Sequence, residues 1–121
     1  RFEKEGLLSR LKQSGVEVHT RSAFLQGLLL FSAKKLPKQF SHIYKHHAML
    51  HKKFSEGGVS AVEGSLRFCL EQPDIDKVLV GCESIEQLRG IVDATNKPYE
   101  CETVFEKFSV DEEFIINPSL W

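Results

Sequence analysis

A cationic excess is missing from this chain: 16 Lys and Arg stand against 17 Asp and Glu, for a formal charge of -1. A surface that tracks phosphates needs a clear surplus of Lys and Arg, so nucleic acid is not expected as a partner. Long apolar runs are missing too. None approaches the roughly 18 residues that span a bilayer, and no secretory leader opens the chain, so a soluble cytoplasmic protein without a membrane partner is expected. Cysteine is scarce and odd in number, and Cys69, Cys82 and Cys101 form no C-x-x-C pair. Neither a disulfide framework nor a zinc site is signalled, and reduced thiols are expected. There is no internal repeat and no low-complexity tract. What remains, 41% hydrophobic and 27% charged over 121 residues, is an ordinary balance for one small domain burying about two-thirds of its unfolded surface.

The stretch from Asp74 to Leu88 organises the rest. Val78, Leu79 and Val80 form a short apolar run suited to one buried strand, and Gly81 and a helix-opening Ser84-x-x-Gln87 follow at once. A strand, a tight turn and a capped helix are therefore expected. Helix N-termini present unpaired N–H groups and a positive dipole end at the carboxyl edge of a parallel sheet, which is where ligands bind.

Upstream, Leu7, Leu8 and Leu11 recur at helical spacing, and Gly15 stands where a left-handed C-terminal cap belongs. A helix over 1–14 and a strand over 16–20 are expected, the latter from its alternation and β-branched content. Phe40, Ile43, His47, Leu50 and Phe54 fit one face of a helix over 40–56. The capping box Ser60-x-x-Glu63 opens another over 60–71, with Val62, Leu66, Cys69 and Leu70 on one face. A strand over 77–80, a helix over 84–94 with Leu88, Ile91 and Val92 facing the core, and an irregular tail over 100–121 complete the reading. That tail interleaves acids with aromatics, which are expected to fold back on the helices.

Two local charge patterns stand out. No acid occurs between Leu28 and Ser55, whereas six lysines do, which makes a basic patch. His42 and His46, and His47 and His51, are spaced i, i+4, which brings two imidazoles together on a helical face. A metal site needs a third ligand and a second shell. No metal is therefore expected, and the default is a solvated or partner-facing helix.

Two strands joined by a long helical connection should run parallel, through a right-handed crossover. Parallel sheets normally contain more strands, and open edges invite pairing with another chain. Expected partners are accordingly the remainder of a larger sheet or a second copy, through strand edges. The fold class expected is α/β, with residues 1–121 a single partial domain excised from a longer protein.

Read together, Ser60 to Leu70, Pro73 to Gly81 and Ser84 to Leu88 resemble the end of an aldo/keto reductase, where a helix, the last barrel strand and the last barrel helix follow in that order. Val16 to Leu30 resembles that family's seventh strand and its Ser-x-x-x-x-Gly loop, and Ile116 to Trp121 resembles the ending of one bacterial subgroup. The resemblance implies a C-terminal fragment of a (β/α)8 TIM barrel and an NADP- or NAD-dependent oxidoreductase acting on a small-molecule carbonyl substrate in the full protein. Ser22, Phe24, Leu25 and Gly27 would lie under the cofactor pyrophosphate, and Gly81, Cys82, Ser84 and Gln87 would hold the adenosine phosphate or ribose. The family's catalytic Tyr, Lys, His and Asp belong to earlier strands. Tyr44 and Tyr99 match neither motif, so no catalytic residue is assigned and the fragment alone should be inactive. Ala23 replaces a frequent Pro, and Glu83 puts a negative charge where a 2′-phosphate would come, which weighs against NADP. The other reading is a non-catalytic, oligomerising interaction module derived from a barrel end.

Overall fold

The computed structural model describes residues 6–96 and 105–121. In chain order they form α1 (Leu7–Gln13), β1 (His19–Arg21), α2 (Tyr44–Glu56), α3 (Ala61–Leu70), β2 (Lys77–Leu79), α4 (Ile85–Asn96) and α5 (Glu113–Ile116). Short 3-10 turns at Leu28–Leu30, Ala33–Lys35, Lys38–Ile43, Phe105–Phe108 and Pro118–Leu120 fill in between. Tyr99, Cys101 and the acidic Glu100 and Glu102 lie outside the described residues.

The caps follow from residue chemistry. At the end of α1, Gly15 takes φ +74°, and its N–H reaches Lys12 O at 2.9 Å while Val16 N–H reaches Leu11 O at 3.0 Å. These two bonds satisfy carbonyls that the last turn would leave open, through a left-handed residue that glycine adopts without penalty. Ser60 and Glu63 close their capping box reciprocally: Glu63 N–H donates to Ser60 Oγ at 3.1 Å, and Ser60 N–H to Glu63 Oε2 at 2.6 Å.

β1 and β2 pair in parallel, with His19 opposite Lys77, Thr20 opposite Val78 and Arg21 opposite Leu79. Strand β1 starts three residues later than its sequence pattern suggests. The Asp76 side chain takes over before it, accepting from Val18 N–H at 2.7 Å, while Asp76 N–H donates to Val18 O at 2.9 Å.

Two cores result. Leu66, Ile91 and Ala94 pack with Ala23, Phe24, Val62, Val78 and Val80, which lays α3 and α4 against the ribbon. Leu28, Phe40 and Ile115 form the other, joined by Leu25, Leu36, Ile43, Val110, Phe114 and Trp121. Where α2 meets α3, Gly64 accepts the Phe54 ring so closely that a Cβ would overlap it. Leu88 and Val92, expected inside, are 49% and 47% exposed, and the buried residues of α4 are Ile91 and Ala94.

The expectation of a (β/α)8 TIM barrel fragment is corrected here. Two strands of three residues each are set among elements that are otherwise helical. The chain between them is no simple crossover, because it builds a second core around Leu28 and Phe40 that the C-terminal segment closes. Among the described residues no helix is long and apolar enough to cross a membrane.

Candidate functional site

The carboxyl ends of both strands open into one depression of 1170 Å³. Its walls come from the loop after β1 and the loop after β2, with α3 and α4 as the floor. Six of the residues expected from the sequence line it: Ser22, Phe24, Gly27, Gly81, Cys82 and Gln87. The other two are elsewhere. Leu25 turns into the core around Leu28 and Phe40, and Ser84 caps α4.

The loop after β1 is bent into an unusual conformation. Ser22, Leu25 and Gln26 take φ of 62°, 47° and 52°, and Gly27 takes 83°. Left-handed geometry costs a residue with a Cβ about 1–2 kcal/mol, so three in one loop concentrate strain beside the depression. Gly27 is the one position where the sequence announces this. Bonds from Leu25 N–H to Ser22 O at 2.7 Å and from Leu28 N–H to Leu25 O at 3.0 Å hold the bend.

The loop after β2 is organised as a cap. Gln87 N–H donates to Ser84 Oγ at 3.2 Å, and Glu83 N–H donates to the Gln87 side-chain oxygen at 2.8 Å. Glu86 bonds its own N–H and the Ser84 hydroxyl, which hold its carboxyl below the usual range. Part of the positive helix end is thus already answered by a carboxylate. For Ser84 and Gln87 the capping role is the one the structure displays, and Gln87 also lines the depression.

Of the charged residues around this site, the sequence marked Glu83 and the capping Glu63 but not Glu86 or Asp93. Arg21 is the only base among the described lining residues, and Glu63, Glu83, Glu86 and Asp93 are its acids. Glu63 is engaged in its capping box, which leaves Glu83 and Asp93 as the less committed carboxylates. Arg21, expected just past a strand over 16–20, is instead the last residue of β1. Asp93 carried no signal, because only the packing of α4 turns it toward the depression.

The thiols differ in setting. Cys69 is 8% exposed in α3, and burial pushes its thiol up from the ordinary value. Cys82 is exposed at the depression. Among the described residues no group of three His, Cys, Asp or Glu side chains could hold a metal ion.

No family model and no solved structure matches the chain. A curated 3-dehydroquinate dehydratase from Bartonella tribocorum is 36% identical over 70 residues, covering 54% of this chain and 46% of the relative. The chain thus spans less than half the length of that relative. This finding overturns the resemblance to aldo/keto reductases and the oxidoreductase activity it implied, since the relative is named a dehydratase and nothing found points to a reductase.

Proposed function

We propose that the depression at the carboxyl edge of β1 and β2 binds a polyhydroxylated molecule that carries an anionic group. The observation that carries this reading is the meeting of the two strand-end loops around Arg21 on one side and Glu83 and Asp93 on the other. A guanidinium presents a planar fork to a carboxylate or phosphate, and carboxylates accept hydrogen bonds from ribose or ring hydroxyls. Two ligands fit that chemistry. One is 3-dehydroquinate, the compound in the relative's name, and the other is a dinucleotide without a 2′-phosphate, held as NAD rather than NADP because of Glu83.

Calorimetric titration of the chain with 3-dehydroquinate, NADH, NADPH and inorganic phosphate tests the reading. Saturable binding of 3-dehydroquinate or NADH is expected, with Arg21→Ala weakening it about tenfold, the usual worth of one charge-assisted hydrogen bond. Binding of neither, or binding indifferent to Arg21→Ala, overturns it.

An associating role is favoured by a separate observation. Leu79, Ile85, Leu88 and Val92 are 54%, 64%, 49% and 47% exposed beside a ribbon whose two edges pair with no further strand among the described residues. We read this surface as the seat of further polypeptide, either the rest of a larger protein or a second copy. Sedimentation at rising concentration checks it, since a strict monomer with Leu88→Ser behaving identically would count against a second copy. A reducing, cytoplasmic setting belongs to the same proposal and suits the free thiols of Cys69 and Cys82.

A further inference from the structure

Three histidines of α2 each bond a backbone carbonyl of another segment. His47 Nε2 lies 3.1 Å from Leu28 O, His51 Nε2 3.0 Å from Leu29 O, and His46 Nε2 3.0 Å from Phe108 O. His42, one turn earlier, lies 3.1 Å from the Glu112 carboxylate. A carbonyl only accepts, so each of the three rings donates from Nε2, and a neutral ring then has a bare Nδ1. At His47, 3% exposed, that Nδ1 is buried and without a partner. The His47 and His51 rings stack with centroids 4.5 Å apart and planes 29° apart.

We propose that His47, with His51 stacked on it, forms an acid-sensitive latch, which holds the turn Leu28–Leu30 against α2 while the His47 ring is neutral and releases it in mild acid. A proton added to His47 must go to Nδ1, where it would be a buried charged donor with no acceptor. His51, stacked on the ring, is no hydrogen-bond partner for that nitrogen. Burial, and then His51 and His46, hold His47 below the free-histidine value of 6.5, with the Leu28 bond opposing. Elements packed against α2 bring Lys34 and Lys35, Lys38 and His42, and Glu63 and Arg67. None of these contributes at His47, and the charged neighbours that do are His51 and His46.

The sign follows. An open state takes up the proton first, so the closed latch has its full advantage above pH 6.5 and loses it as the pH falls below. The opening constant rises about tenfold per pH unit until His47 protonates in place. What is released is the turn that follows the left-handed bend at Ser22, Leu25, Gln26 and Gly27. It includes Leu28, so the core shared with Phe40 loosens with it.

Long-range proton–nitrogen NMR of the full chain from pH 7.5 to 5.5, with amide exchange at Leu28 and Leu30, tests the latch. His47 is expected to remain the Nε2–H tautomer at pH 6.5. Protection of the Leu28 and Leu30 amides should fall about tenfold per pH unit below that, after correction for intrinsic exchange, while the Gly64 amide in α3 keeps its own. His47→Gln keeps a donor for Leu28 O but cannot take the proton, so its protection should be flat with pH. If that variant does not fold, the wild-type titration decides. A His47 that titrates at or above 6.5, or Leu28 and Leu30 amides that change no more than Gly64, overturns the proposal.

Discussion

The ribbon side and the histidine side of this chain are held by different kinds of contact. Around the ribbon the cross-links are exposed ion pairs and hydrogen bonds: Lys12 with Asp76, Lys77 and His19 with Glu17, and Ser9 with Asp74. Such pairs contribute little each, because water screens them and long side chains must be ordered to make them. On the histidine side the contacts are buried and directional. Phe40, 2% exposed, meets the Trp121 ring edge-on at 4.9 Å and Phe114 at 5.7 Å. Trp121 Nε1–H then donates to Phe114 O at 2.6 Å. The histidine side closes an aromatic core with Trp121, while among the described residues the ribbon side leaves two strand edges and an apolar stripe on α4 uncovered. Binding and association are accordingly sought on the second, and stability on the first.

Phe40→Ala should break the contrast most severely. It empties the centre of the aromatic core, and a loss of about 3–5 kcal/mol is expected in urea unfolding, with the emission of Trp121 shifted to the red. Gly64→Ala strikes the seam between the two sides. The added methyl overlaps the Phe54 ring, and overpacking of about 1–3 kcal/mol should outweigh the gain of about 1 kcal/mol in helix propensity. A urea midpoint at or above wild type would mean that the ring moves aside freely.

Asp76→Asn tests the ribbon side and should have the smallest effect at neutral pH. The Lys12 ammonium and then the Val18 N–H hold the Asp76 carboxyl below its ordinary 3.8. Because the folded state binds the proton less readily, its stabilisation is present above that value and is lost as the pH falls through the folded one. The urea midpoint of the wild type should therefore fall more steeply than that of the variant once the pH drops below 3.8. Parallel curves would mean that the charge of Asp76 beside Lys12 has no thermodynamic weight.

How much of this was legible in the sequence differs by side. Ser60 and Glu63, and Ser84 and Gln87, announce their caps because a capping box is local chemistry at fixed spacing. Phe40, Ile43, His47, Leu50 and Phe54 announce a buried face because helical periodicity records burial, and all are buried but Ile43, which is half-buried. The histidine bonds were not legible, since their acceptors are carbonyls that any residue would carry and lie 19 to 62 positions away. The expectation of a solvated or partner-facing helix missed them for that reason. Six of eight expected site residues meet at the depression because strand ends and glycines mark loop positions. Their role could not be read the same way: of the acids that set the charge of the depression, Glu83 lies in the loop after β2, but Glu63, Glu86 and Asp93 come from α3 and α4, which only packing brings there.

The contact between Phe54 and Gly64 also reaches beyond this one molecule. With no space for a Cβ at 64 while a phenyl ring stands at 54, the two positions behave as one unit in sequence space. A chain of this fold that carried alanine or anything larger at 64 would be expected to carry a smaller residue in place of Phe54, and the two changes would be tolerated together where either alone is not.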